Sequence, residues 1–299
     1  MSYRIASRII ALVLPFIIFS IGRCASAEVI KNTWLTDSTV NASAVDTDGT
    51  LYLGGGFTYI APFYGQSVAF DTGTGLAKSA FPKINGRVYS MISDGAGGFY
   101  VGGNFTYVNE VARNNLVHIF SDGSLDTSWN PNVTLVVTGG AGVKTMLLSG
   151  AALYIGGEIS AVGVDTRNKA AAINTTTGLA TSWNPNITGT NVLAFEMATS
   201  TIFVGGNFTS VGGTSRTNLA EISLTTGSST SWNGSISGGD VRDLAMFNGF
   251  LYAGGNFTSA GGSTRNRLAA LNPTTGSSTS WNPNASNFIN SMAFSTSTV

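Results

Sequence analysis

The chain has 299 residues but few of the side chains that perform most protein chemistry: one His, one Cys and 10% charged residues, against roughly 25% in an ordinary soluble domain. The 15 basic and 15 acidic residues cancel. No basic run is present, which argues against a nucleic-acid partner because such binding requires clustered Lys and Arg. One His leaves no multi-His metal site and little scope for His-centred acid–base catalysis. We therefore predict no metal and no cofactor.

Residues 1–27 have the features of an export signal. Arg4 and Arg8 precede an apolar run at residues 9–21, and Ala25-Ser26-Ala27 follows, which is the order of a secretory signal peptide. The run of 13 residues is shorter than the ~20 that span a bilayer, so we favour a signal peptide over a short membrane anchor. Cleavage between Ala27 and Glu28 predicts a secreted chain, extracellular, on the cell surface or periplasmic, with no membrane span.

The only cysteine, Cys24, lies inside this predicted signal, so the mature chain has none. Its absence excludes disulfides, thiol catalysis and Cys-ligated metals. Removal of Arg4, Arg8 and Arg23 leaves 12 basic and 15 acidic residues, a net charge of −3. An exported chain without cysteine suits a bacterial periplasm or cell surface better than a small animal secreted module, which usually depends on disulfides.

The rest of the sequence is a tandem repeat. A strand-like segment that ends in two glycines occurs five times, and the second glycines are separated by 48, 54, 49 and 49 residues. The pairs are Gly54, Gly55, Gly102, Gly103, Gly156, Gly157, Gly205, Gly206, Gly254 and Gly255. A second marker, Trp-Asn-Pro or a variant of it, begins at Trp129, Trp183, Trp232 and Trp281. We infer that the glycines let neighbouring backbones approach closely and that each Trp packs between adjacent units.

Four short apolar or β-branched segments make up each unit, in the fifth unit at residues 240–246, 250–257, 265–272 and 278–281. No stretch shows a sustained 3.6-residue apolar period, so helices should be nearly absent. Four antiparallel strands repeated in tandem predict the blades of an all-β propeller, since a β-solenoid usually repeats at about half this period. The units are residues 35–81, 82–129, 130–183, 184–232 and 233–281.

A truncated sixth unit follows at residues 282–299, where residues 292–299 match residues 195–202. An abandoned blade would leave an unpaired strand edge, so we expect the reading frame to continue. In the complete ring, residues 32–34 are expected to supply the outer strand of the last blade.

These units resemble bacterial secreted β-propeller repeats classed as a domain of unknown function. The likeness is carried by residues 251–258, the Arg265-Asn266 pair, Thr275-Gly276 and Trp281-Asn282-Pro283, and it extends over nearly all of residues 34–299. The first unit departs from the pattern, with Phe81 in place of Trp and no Arg-Asn pair. The resemblance implies a propeller in an exported or surface protein, and it supplies no catalytic residues.

Two kinds of propeller enzyme are weaker matches. A quinoprotein dehydrogenase motif is approached between Ala172 and Trp183, but Asn174 replaces the Asp and one residue too many precedes the Trp. A sialidase box is approached at Ser121-Asp122-Gly123, at the wrong distance from Trp129. A glycosidase needs two carboxylates that flank the bond. The candidates Glu158, Glu196 and Glu221 occupy three different positions within the repeat.

Four arginines occupy one equivalent position in successive units: Arg113, Arg167, Arg216 and Arg265. In a propeller they form a ring on one rim and could grip an anionic glycan through charge-assisted hydrogen bonds. The alternative is that each Arg binds a carbonyl or stacks beside a Trp within its own blade. Because the residue recurs in every blade, we favour this structural alternative.

Two further candidates are given structural interpretations. Asp46-Thr47-Asp48-Gly49 has some calcium-loop character but lacks a third ligand and a downstream Glu, so we predict a hairpin turn. His118 lies in a third strand at a position occupied elsewhere by Phe70, Ala172, Glu221 and Ala270, so we expect a satisfied or exposed side chain rather than a ligand.

The sequence therefore favours a non-catalytic exported propeller that acts as a binding or scaffold module for an unidentified protein or glycan. The longest insertion, residues 134–142, is the expected variable contact loop. An enzyme, quinone-dependent or active on polysaccharide, is the alternative, and a pure spacer within a surface protein is the third possibility.

Overall fold

A computed structural model describes residues 38–45, 50–57, 59–60, 63–64, 67–71, 73, 77–78, 81–136 and 141–294. Three of the sequence predictions lie outside this part of the chain: the signal peptide with its cleavage site at Ala27 and Glu28, the Asp46–Gly49 turn, and the closing strand at residues 32–34. Residues 137–140 of the predicted contact loop and residues 295–299 also lie outside it.

All regular structure within these ranges is β, and no described residue is helical. Five antiparallel sheets follow one another along the chain, and in each the second strand lies between the first and the third. This confirms the predicted all-β fold. The strands in order are Val40–Val45, Thr50–Gly55, Ser67–Asp71 and Ala77–Lys78; Arg87–Ser93, Phe99–Asn104 and Leu116–Ile119; Val143–Ser149, Ala152–Gly157 and Ala170–Asn174; Ile187–Met197, Thr201–Val211 and Leu219–Ser223; Val241–Phe247, Phe250–Gly255 and Leu268–Leu271.

The core lies between successive sheets. Each of four clusters of buried side chains combines residues of two neighbouring sheets, for example Tyr154 and Ala172 of the third sheet with Val192 and Ile202 of the fourth. The first strands of successive sheets also contact each other in chain order. Burial of apolar area between sheets is thus the main force that holds the units together.

The outer edge of the sheets differs from the prediction of a fourth strand. In the second to fifth sheets that segment forms only a single bridge, such as Leu271 with Ser278. The Thr279 N–H donates to the Ala270 carbonyl, but the Thr279 carbonyl accepts the Arg265 guanidinium. Because an arginine takes the acceptor that a backbone N–H would need, the ladder ends there. Residues 278–281 are therefore an edge segment rather than a strand.

Short two-stranded hairpins extend from the end of the second strands, and the sequence did not predict them. In the fifth unit Ser259–Ala260 pairs with Ser263–Thr264. The other units have Tyr59–Ile60 with Phe63–Tyr64, Tyr107–Val108 with Val111–Ala112, Ile159–Val162 with Asp165–Thr166 and Val133–Leu135, and Thr214–Ser215 with the end of the long strand Thr201–Val211. These hairpins widen one end of each unit.

We call this end the connecting end: the second strands end there, and the first and third strands begin there. It is common to neighbouring sheets, because Val241 at the start of one first strand packs on Gly205 at the end of the preceding second strand. A search of the described residues for a helix that could cross a membrane found none.

Candidate binding face

Each repeated Trp joins its own sheet to the next one. Trp129, Trp183 and Trp232 are at most 5% exposed. Their indole N–H groups donate to backbone carbonyls of the following sheet, at Asn174 (3.2 Å), Ser223 (2.9 Å) and Asn272 (3.3 Å) respectively. The indoles therefore combine a large apolar contact with one directional bond across each junction. Phe81 of the first unit packs on Tyr52, with ring centroids 5.2 Å apart, as Trp129 packs on Tyr100.

The glycine pairs lie where two backbones meet. A Cβ on the first glycine of a pair would collide with the next sheet, as at Gly205, where it would lie 2.6 Å from Val241 Cγ1. A Cβ on the second glycine would collide with a carbonyl of its own first strand, as at Gly206 with Asn191. The pairs Gly54–Gly55, Gly102–Gly103 and Gly156–Gly157 have the same surroundings, and in the pair Gly254–Gly255 the first glycine faces Ile289 instead of a following sheet. These glycines are framework residues.

The four repeated arginines also bind the backbone. Each donates Nη1 to the carbonyl of the preceding residue and Nη2 to a carbonyl fourteen residues later, in the outer edge segment. Arg216 adds a bond from Nε to the Trp232 carbonyl. The Nε atoms of Arg113, Arg167 and Arg265 are buried without a partner in the described part of the chain. The recurrent arginine thus joins the segment that precedes the third strand to the outer segment of the same unit.

Variable side chains occur at a different recurrent feature, a bulge near the start of each first strand. The register slips by one residue there, between Val88 and Ser90 in the second sheet and at equivalent points in the others. The extra residues are Asn41, Tyr89, Lys144, Leu193 and Arg242, which we call the bulge set. Bulges redirect a side chain and are frequent next to functional sites.

Bulge residues contact the neighbouring sheet at two junctions, once through another bulge residue and once through the backbone. Lys144 Nζ lies 3.3 Å from the centroid of the Tyr89 ring, a cation–π contact between the second and third sheets. The Arg87 guanidinium approaches the same ring at 5.9 Å. Asn41 Nδ2 donates to the Val88 carbonyl at 3.0 Å. The bulge set is therefore in contact with neighbouring first strands at the connecting end.

Glu158 forms an ion pair with Lys144. It stands where other units have Asn104, Asn207 or Asn256, and its side chain is 10% exposed. Its Oε2 accepts from the Gly142 N–H at 3.0 Å and lies 3.9 Å from Lys144 Nζ, while Oε1 accepts from Asn191 Nδ2 at 3.1 Å. The carboxylate thus links Lys144 to the backbone at Gly142 and to the Asn191 side chain.

Arg242 forms a second charged group of the bulge set. Its Nε donates to Asp240 at 3.0 Å, its Nη1 donates to Asn290 at 2.9 Å, and its guanidinium lies 4.7 Å from the Phe288 ring centroid. The side chain is 30% exposed, the most open cation among the ion pairs of the described residues. Arg242 can therefore contact a ligand without breaking these bonds.

Two carboxylates on neighbouring first strands have raised pKa values. Burial raises the pKa of Asp243 to about 6, although N–H groups of Met292 and Leu244 oppose the shift. Burial, assisted by the Asp243 charge, raises the pKa of Glu196. Each carboxylate accepts a backbone N–H across a junction, Glu196 from Met246 of the next first strand and Asp243 from Met292, which lies beyond the fifth sheet and in no strand. A pair of carboxyls with perturbed pKa values can be catalytic. Here one oxygen of each carboxylate accepts a backbone N–H across the junction, which is a structural contact.

His118 is buried between two aspartates. Its Nδ1 and Nε2 lie 3.0 Å from Asp126 and Asp94 respectively, and its ring stacks on Tyr100 with centroids 4.7 Å apart. Burial opposes ionisation of both aspartates, yet hydrogen bonds from His118 and nearby groups lower the pKa of Asp94 and of Asp126. Burial, assisted by both carboxylates, raises the pKa of Tyr100 to about 12. The equivalent Glu221 accepts from Thr201 and Thr230 instead.

No group of three His, Cys, Asp or Glu side chains within the described ranges is arranged to hold a metal ion. Glu158, Glu196 and Glu221, which the sequence offered as glycosidase candidates, bind three separate sets of neighbours. The aspartates beside His118 were missed because Asp94 and Asp126 are 24 and 8 residues away in sequence.

The bulge set did leave a signal in the sequence. Val88 and Met91, Val143 and Met146, and Val241 and Leu244 are buried pairs three residues apart. A regular strand would bury residues two apart, so the spacing indicates one extra residue in between. The identity of that residue differs from unit to unit.

Two segments, residues 100–128 and 248–277, match a family model described as a domain of unknown function (DUF5122) beta-propeller. They cover the second and third strands of the second and fifth sheets. A search of curated proteins gave no match. The chain is thus similar to an uncharacterised β-propeller family.

Proposed function

We propose that this chain is an exported, non-catalytic β-propeller that binds a protein or a glycan through the bulge set. The supporting observation is that a constant framework presents a different side chain at the same register in five successive sheets: amide, aromatic, cation, aliphatic and cation. Side chains at a bulge can vary without loss of ladder hydrogen bonds, so the position is suited to recognition.

The chemistry of these residues fits a contact surface. Tyr and Arg are the side chains most often found at the energetic centre of an interface, because they combine large area with hydrogen-bonding capacity. Tyr89 and Arg242 provide these types, and Lys144 is fixed beside the tyrosine by Glu158. A ligand with carboxylate groups or sugar rings would meet a cation and an aromatic face at Lys144 and Tyr89, and a second cation in the fifth sheet at Arg242.

The enzymatic alternative rests on Glu196 and Asp243, since burial raises the pKa of both carboxyls and the Asp243 charge further raises the pKa of Glu196. Their hydrogen bonds to Met246 and Met292 favour a structural role. Hydrolysis of a polysaccharide panel by the full chain, lost in both Glu196→Gln and Asp243→Asn, would establish the alternative in place of our proposal.

Binding is tested with the secreted full chain on intact cells of the source organism and on an oligosaccharide array. We expect the double variant Tyr89→Leu/Arg242→Gln to lose at least about tenfold in affinity, since two central contacts are removed. Thr225→Ala is the matched control, because Thr225 is exposed at the opposite end of the fourth sheet. Equal affinity of both variants and the parent would overturn the assignment.

Export is tested separately by amino-terminal sequencing of the protein recovered outside the cytoplasm. The proposed signal predicts Glu28 as the first residue. A product that begins at Met1 and stays with the membrane fraction would replace the signal peptide with an anchor.

A further inference from the structure

A polar cleft of about 420 Å³ opens at the connecting end of the fourth and fifth sheets. Its lining includes Ser215, Thr217, Asn233, Ser235, Ile236 and Ser237. It shares no residue with the bulge set.

At the equivalent place in three other units, one hydrogen bond spans the gap. The Asn that follows the repeated Arg donates Nδ2 to the last Asn of the Trp-Asn-Pro-Asn segment. The bonds are Asn114 to Asn132 (2.7 Å), Asn168 to Asn186 (2.6 Å) and Asn266 to Asn284 (2.7 Å). This amide bridge crosses the gap between the third strand and the outer segment of the same unit.

The fourth unit departs from the repeat at both ends of the bridge. Thr217 replaces the first Asn and Ser235 the second, and Gly234 stands where the other units have proline. Neither hydroxyl bonds to the other in the described chain, and both side chains are exposed. Ser235 keeps the backbone conformation of its counterparts, with φ 45° against 48°, 46° and 53° at Asn132, Asn186 and Asn284. The frame is therefore unchanged while the bridge is missing.

The cleft offers groups that match a carbohydrate. The hydroxyls of Ser215, Thr217, Ser235 and Ser237 form no side-chain hydrogen bond with any residue that the structure describes, and each hydroxyl can donate and accept. Asn233 uses only its oxygen, which accepts from the Ser235 N–H at 3.0 Å. Ile236 lies beneath these groups and is 1% exposed, so the surface open to a ligand is polar. The hydroxyl groups of a carbohydrate both donate and accept, and therefore complement such a surface.

The charge of the cleft lining indicates which class of polar ligand the cleft suits. No Lys, Arg, Asp or Glu lines the cleft. The adjacent Arg216 donates Nε, Nη1 and Nη2 to the carbonyls of Trp232, Ser215 and Thr230, so its donors face the backbone. We propose that the cleft binds a neutral carbohydrate, with the Thr217 and Ser235 hydroxyls as its specificity-determining contacts. This goes beyond the proposed function, which rests on the bulge set.

The test introduces into the fourth unit the two Asn residues that three other units have at these positions. Thr217→Asn/Ser235→Asn places in the fourth unit the two residues that bridge the gap in three others, so the variant should fold and its cleft should close. The probes are neutral cello-, chito-, manno- and xylo-oligosaccharides on an array, followed by calorimetric titration of the tightest one. We expect at least about a tenfold loss of affinity in the variant, with an unchanged melting temperature.

The matched control is the reverse exchange in the third unit, Asn168→Thr/Asn186→Ser, which removes a bridge elsewhere and should leave that affinity unchanged. Absence of binding to all four neutral probes by the parent chain overturns the proposal, as does equal affinity of Thr217→Asn/Ser235→Asn. If affinity is lost in Tyr89→Leu/Arg242→Gln but kept in Thr217→Asn/Ser235→Asn, the bulge set binds the sugar and only this inference fails.

Discussion

The junction between the fourth and fifth sheets and the far face of the fifth sheet come from the same repeat, but their tryptophans are covered differently. Trp232 is 5% exposed, and its indole N–H donates to Asn272 of the next sheet. Trp281 is only half-buried, and its indole N–H has no acceptor in the described chain. Both indoles pack on an aromatic ring of their own sheet, Phe203 and Tyr252.

The far face is not bare, because residues 285–294 cover part of it. The Ile289 N–H donates to the Gly255 carbonyl, and Phe294 packs on Tyr252 with centroids 4.8 Å apart. These residues reproduce the first-strand contacts of a following sheet without forming a strand. The comparison shows that each unit supplies half of a junction, and that the burial of its Trp depends on the third strand of the next unit.

The largest expected effect is therefore a difference between two identical substitutions. Trp232→Ala should lower the free energy of unfolding by about 3–5 kcal/mol, since a buried indole and its cross-junction bond are lost. Trp281→Ala should cost about 1–2 kcal/mol, because a half-buried ring loses less apolar contact. Urea denaturation of the two variants measures both values. Equal losses would mean that residues 285–294 cover Trp281 as fully as a sheet does.

A pH series on Asp243 sharpens the comparison at the same face. Its pKa is raised from 3.8 to about 6 in the folded chain, so the protonated form is favoured by folding. Stability from this group is complete below about pH 4 and is lost as the pH rises through about 6, an effect of about 2–3 kcal/mol.

The variant Asp243→Asn cannot ionise and should lack this part of the pH dependence. The free energy of unfolding at about pH 4 and pH 7 is compared between parent and variant, which cancels contributions from Asp94 and Asp126. Because the Asp243 charge also raises the pKa of Glu196, the comparison is repeated in a Glu196→Gln background. A parent and a variant with the same slope would show that the Met292 N–H already balances the cost of burial. Glu196→Gln, at the preceding junction, is the matched variant.

The smallest expected effect is a difference in stability loss between alanine substitutions at two glycines of the same repeat position. A Cβ at Gly205 would lie 2.6 Å from Val241 of a regular strand, and one at Gly254 would lie 2.8 Å from Ile289 of the covering segment. Gly205→Ala should cost about 1–3 kcal/mol because a packed strand must shift. Gly254→Ala should cost about 1 kcal/mol less, since residues 285–294 can move away. Thermal unfolding of the pair gives the difference, and a larger loss at Gly254 contradicts it.

Much of the framework could be predicted from the sequence because it repeats. The period placed the glycine pairs and tryptophans, and the short apolar segments located the first and second strands. The predicted end of the second strand in the fifth unit, residue 257, differs from Gly255 because the chain then turns into the short hairpin. The fourth strand was not predictable, since the loss of its ladder depends on which carbonyl the Arg265 guanidinium reaches.

The candidate sites were less accessible to sequence analysis. The bulge is recorded in the spacing of Val241 and Leu244, but the contact of Lys144 with Tyr89 depends on residues 55 positions apart meeting across a junction. In the sequence, the cleft is marked only by the replacement of Asn at positions 217 and 235. That replacement could be interpreted only after the structure had shown that the equivalent Asn114 and Asn132 are hydrogen-bonded. Repetition therefore predicts the framework, and departures from repetition mark the candidate sites.

The amide bridges, arginine contacts and indole bonds all join one repeat position to a fixed position in the same or the following unit. A gene segment that is one period long therefore encodes both the donor and the acceptor groups that these contacts require. If recombination between neighbouring repeats duplicated or removed such a segment in frame, the new junction would contain the same contacts as the old ones. A lineage of such genes can thus change the number of units in a single genetic event, while point substitutions at residues such as 217 and 235 give individual units their own chemistry.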